Sequence, residues 1–66
     1  MATFRFHLIG NHLPVELDVD APSISLLGEL ISRQRFIEGR LTQPDGDGVL
    51  QGILLATSRI QCVVEV

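Results

Sequence analysis

Sixty-six residues with a net charge of -3 allow one domain with a thin core, because a chain of this size buries only about 60% of the surface its unfolded form exposes. The lone cysteine, Cys62, excludes an internal disulfide, and the longest unbroken apolar run, Ile53–Ala56, falls far short of the ~20 residues needed to cross a bilayer as a helix. Five arginines and no lysine in an acidic chain argue against a nonspecific nucleic-acid binder, whose affinity comes from neutralising phosphates.

One free thiol and no signal peptide point to a cytoplasmic setting. Residues 1–66 read as one unit, without repeat, linker or low-complexity run.

The opening segment alternates. Phe4, Phe6 and Leu8 fall on one face and Arg5 and His7 on the other; beyond Gly10-Asn11, Val15, Leu17 and Val19 oppose Glu16, Asp18 and Asp20. A tight turn at Gly10-Asn11, or a longer loop of the same parity, pairs Phe6 with Val15, Phe4 with Leu17 and Arg5 with Glu16. A slip of one residue would send both phenylalanines to the solvent face, so the register is firmer than the turn type.

A helix is expected over about residues 22–34, with Pro22 in its first turn and Asp20 or Ser23 as its cap. Ile24, Leu27 and Ile31 form one row beside Leu26 and Leu30, a stripe suited to lying on a sheet. Gly28, costly inside a helix, suggests a close approach to that sheet.

Three further strands follow: Arg35–Thr42, then VLQGILLA and RIQCVVEV, the last two joined as a hairpin at Thr57-Ser58. That hairpin would set Leu55 opposite Ile60 and Ile53 opposite Cys62, with the thiol on the core face as a small hydrophobe. The expected fold is α+β, of order ββαβββ, with one helix on a twisted antiparallel sheet or a partly closed small barrel. A β-grasp arrangement is the competing topology.

One helix covers one side of such a sheet. The reverse side would carry Leu50, Leu54, Val63 and Phe36, more apolar than a solvent face requires. Either the sheet curls over these residues or another subunit covers them, since contiguous apolar patches are unusual on monomers; the plainer alternative is apolar residues scattered singly on the surface.

Signals for chemistry are few. His7 and His12 flank the first turn without the spacing of a structural zinc site. Asp45-Gly46-Asp47-Gly48 has two carboxylates of a calcium loop, but Ala56 stands where the closing glutamate belongs. Glycines 46, 48 and 52 lack the lysine and helix of a phosphate loop, and no carboxylates pair for acid and base work. No enzyme activity, cofactor or metal is expected.

The stretch FIEGRLTQPDGDGVLQGILLATSRIQCVVEV resembles the Sm-like family of small β-barrels, which form rings and bind RNA. Gly39, Leu41 and Asp45 match the spacing of that family's first motif, and RIQCVVEV (Arg59–Val66) is similar to its closing strand. Val49 stands where the RNA-contacting asparagine would be, and the helix follows two strands instead of preceding the sheet. The resemblance implies a bent five-stranded sheet and ring-like or dimeric assembly. The function expected from the sequence is a small non-catalytic protein-interaction module that forms a homo-oligomer through its sheet. The alternative is an Sm-like RNA-binding oligomer with Arg40 and Arg59 as contacts.

Overall fold

The first two runs pair as their alternation dictates. In the computed structural model, which describes residues 2–44 and 46–66, β1 (Ala2–Leu8) lies antiparallel to β2 (Val15–Val19), with Phe4 opposite Leu17, Arg5 opposite Glu16 and Phe6 opposite Val15. The connection is longer than a two-residue turn. The Asn11 amide donates to the Leu8 carbonyl at 3.2 Å, and Gly10 takes φ +88° at the bend, a conformation that favours glycine.

The helix α1 spans Ile24–Arg33. Ser23 is its cap: the hydroxyl accepts from the Leu26 amide at 3.3 Å, satisfying one of the orphan donors of the first turn. Pro22 therefore stands before the cap and not within the first turn. Leu27 is fully buried and Leu30 and Ile31 pack beside it, whereas Ile24 and Leu26 remain exposed. Gly28 faces away from the sheet, with no atom within 4 Å of where a Cβ would stand; close packing does not account for it. Gly28→Ala should raise stability by about 0.5–1 kcal/mol by lowering the entropy cost of the helix, seen as a higher urea midpoint with unchanged slope.

From Gln34 the chain enters β3 (Phe36–Leu41), which pairs with β2 on one side and with β4 (Gly52–Ala56) on the other. A short 3-10 helix, Thr57–Arg59, leads into β5 (Ile60–Glu65). The sheet order is β4-β3-β2-β1-β5 and every pairing is antiparallel. The expected hairpin between β4 and β5 does not form. These strands occupy opposite edges, and β5 returns to β1, with Val63 opposite Phe6 and Cys62 opposite His7. The 3-10 helix replaces the two-residue turn that parity assumed; Ile60 still packs against the core, but past the register irregularity the pairing with β1 exchanges the faces of Cys62 and Val63.

A flat sheet cannot satisfy this order. Five strands span about 19 Å from edge to edge, yet four peptide steps from Ala56 to Ile60 reach at most ~14 Å. The sheet curls so that its edges approach at this corner without closing. Thr57 pins the corner, its amide donating to the Arg35 carbonyl at 2.9 Å and its hydroxyl to the Gln34 carbonyl at 2.8 Å.

On the concave side lies the core: Phe4, Phe6, Leu17, Val19, Ala21, Leu27, Ile37 and Leu55. Each large member contributes roughly 1.5–3 kcal/mol by leaving water. Gly39 sits within this wall because β2 leaves it no room for a side chain.

Candidate functional site

The convex face of the sheet is polar at its centre and apolar on its flanks. On the central strands, Arg5 donates from Nε and Nη2 to Glu16 Oε2 at 3.1 and 2.9 Å. Both side chains are about two-fifths exposed, at 41% and 38%, so water screens the pair and it contributes at most about 1 kcal/mol. Thr3 Oγ1 donates to Asp18 Oδ1, and Arg40 stands opposite Asp18 in the next strand. These groups make a band of alternating charge across β1, β2 and β3.

Beyond the band, towards β4, the surface turns apolar. Leu54 lies opposite Glu38, and Phe36 opposite Ala56. Phe36 and Leu54 are thus diagonal neighbours on one face, within reach of an aromatic side chain. They are 54% and 66% exposed. Leu50 and Leu54 line one shallow groove together with Asp20, Glu38 and Arg40.

Of the four residues expected on the reverse side, the structure brings Leu50, Leu54 and Phe36 to one end of the convex face and leaves Val63 out. Val63 packs partly buried against the core, because β5 pairs with β1 and places it opposite Phe6. The same correction applies to Cys62, expected in the core and found exposed. Two convex-face residues were missed: Val64 and Val66, both exposed. Val64 lies opposite Arg5, so the alternation of β1 would have marked it had the partner strand been known.

Arg40 and Arg59 do not converge. Arg40 stands opposite Gly52 at the start of β4, and Arg59 lies beyond its end; the strand between them covers about 13 Å. Acidic neighbours face Arg40, with Asp18 opposite and Glu38 and Asp20 in the same groove.

His7 is half-buried in β1 and His12 exposed in the loop before β2. Among the described residues, no three of His, Cys, Asp and Glu come together as a metal site would require. Asp45, on which both the calcium-loop pattern and the Sm-like motif draw, lies outside the described residues. No helix among the described residues is long and apolar enough to cross a membrane.

Comparison with protein-family models, with curated proteins and with solved structures gives no match to this chain.

Proposed function

We propose that this chain is a small non-catalytic protein-interaction module that self-associates through its sheet. The observation that carries the reading is the apolar end of the convex face, where Leu54 and Phe36 stand exposed side by side at an open sheet edge. The core spends its large apolar residues on the concave side under α1, and a single 10-residue helix, about 15 Å long, cannot cover the convex side as well. A second copy of the chain can.

Sedimentation across about a hundredfold dilution tests this directly, because association between copies follows mass action. The unmodified chain is expected to shift from dimer towards monomer, and Leu54→Asp to remain monomeric and folded, since Leu54 contributes little to the monomer core. A single 7.3 kDa species at every concentration overturns the reading.

A second reading, an Sm-like RNA-binding oligomer with Arg40 and Arg59 as contacts, draws support from the curled five-stranded sheet. The separation of the two arginines and the acidic surroundings of Arg40 weigh against it. Phosphate contacts are strongest at low salt, so failure to retain single-stranded RNA at ~50 mM salt removes it.

A further inference from the structure

The backbone at the β4 edge specifies how a second copy fits. The Leu41 amide donates to the Gln51 carbonyl and the Thr57 amide to the Arg35 carbonyl, both at 2.9 Å. In an antiparallel pair these hydrogen-bonded positions recur at every second residue. The backbone groups of Ile53 and Leu55 therefore face β3, while the amides and carbonyls of Gly52, Leu54 and Ala56 point away from it, where no described strand pairs with them; beside Ala56 the chain from Leu8 to Asn11 lines a shallow groove. The sequence of β4, GILLA, has no charge and no proline, the usual guards of a free edge.

Resting on the self-association proposed above, we infer that β4 pairs antiparallel with β4 of a second copy, about a twofold axis at Leu54. Leu54 then exchanges both of its backbone hydrogen bonds with Leu54 of the other copy, and Gly52 meets Ala56. The two small residues flank the paired leucines without crowding them. Ile53, partly exposed in the monomer, gains Leu55 of the other copy as a neighbour on the concave side. On the convex side the two Leu54 side chains meet between the two Phe36 rings.

Face parity selects this partner over the other open edge. With five antiparallel strands in one sheet, the outward backbone groups of β4 belong to convex-face residues. Those of β5 belong to concave-face residues, because the Val66 amide donates to the Thr3 carbonyl at 3.3 Å and the alternation then directs Val63 and Glu65 outward. Antiparallel pairing of β4 with β5 of another copy would join one molecule's convex face to the other's concave face. Pairing of β4 with β4 keeps each face continuous. The β5 edge is also guarded, by a register irregularity where it meets His7 and Leu8 and by Glu65.

Amide hydrogen exchange by NMR, on the unmodified chain across the same dilution series, tests the inference. At the concentrated end the Gly52 and Leu54 amides are expected to exchange at least tenfold more slowly than at the dilute end, with the Val63 and Glu65 amides fast throughout. In Leu54→Asp, which sets two carboxylates face to face, the Gly52 amide should be fast at every concentration. A dimer whose β4 amides stay fast overturns this pairing while leaving self-association standing, and so does a dimer that protects β5 along with β4. A chain that is monomeric throughout overturns both.

Discussion

Gly39→Val is expected to unfold the chain. A Cβ at Gly39 would stand 3.0 Å from the Asp18 carbonyl oxygen, 3.3 Å from Val19 Cγ2 and 3.4 Å from Leu17 Cβ. The Val19 side chain can yield by a few tenths of an ångström. The Asp18 carbonyl cannot follow easily, because it belongs to β2, which is hydrogen-bonded between β1 and β3. A single methyl, in Gly39→Ala, therefore costs about 1–3 kcal/mol by overpacking, and two further methyl groups on a β-branched carbon cost more. A domain of this length has roughly 3–10 kcal/mol of stability in total. Circular dichroism with urea titration is the measurement: the alanine variant should unfold at lower urea and the valine variant lack a cooperative transition. A valine variant with an unchanged midpoint would show that β2 and β3 are not packed as described.

Two phenylalanines that look alike in the sequence should differ widely in their response to truncation. Phe6 has no exposed surface, and its removal leaves a cavity beneath Val15 and Val63, which flank it in the sheet. Phe6→Ala is expected to cost ~3–5 kcal/mol, enough to leave much of the population unfolded. Phe36 is 54% exposed on the convex face, so Phe36→Ala should lower monomer stability by less than about 1 kcal/mol. Its effect should instead grow with protein concentration, because the proposed self-association would cover its ring. Thermal melts at two concentrations separate the cases, and equal losses for the two variants in dilute solution would contradict the assignment of faces.

The contrast between these residues shows which parts of the architecture are legible along the chain. Phe4, Phe6 and Leu17 announce their face because alternation is a local signal, and a hairpin register of fixed parity carries it across to the partner strand. The helix is readable for a similar reason, from the row Leu27, Leu30 and Ile31 and from a capping serine. The position of β5 was not readable. Two apolar runs separated by Thr57-Ser58 look like a hairpin, yet a 3-10 helix intervenes and the partner of β5 lies more than fifty residues earlier in the chain. Nothing local distinguishes the two pairings, and with the wrong one Cys62 and Val63 exchange faces. Leu54 and Phe36 kept their expected place because the β3–β4 pairing is local. Gly28 and Gly39 mark the remaining limit: a helical glycine suggests close packing as readily as a strand glycine does, and only the neighbouring backbone tells which one is held.

The return of β5 to β1 also sets an order on how the chain can be made. Synthesis from the N-terminus delivers the first hairpin, the helix and the β3–β4 pair while β1 still has one side unpaired. Phe6 and Phe4 then lack the neighbours that Val63 and Glu65 provide across the strand boundary. Closing a loop of this length costs only slowly increasing entropy, so the obstacle is availability and not energy. Until Ile60–Glu65 have been made and placed, β1 keeps an open ladder beside its two phenylalanines, the kind of edge that recruits other chains. The exposure of the core to misassociation thus lasts until β5 is laid against β1.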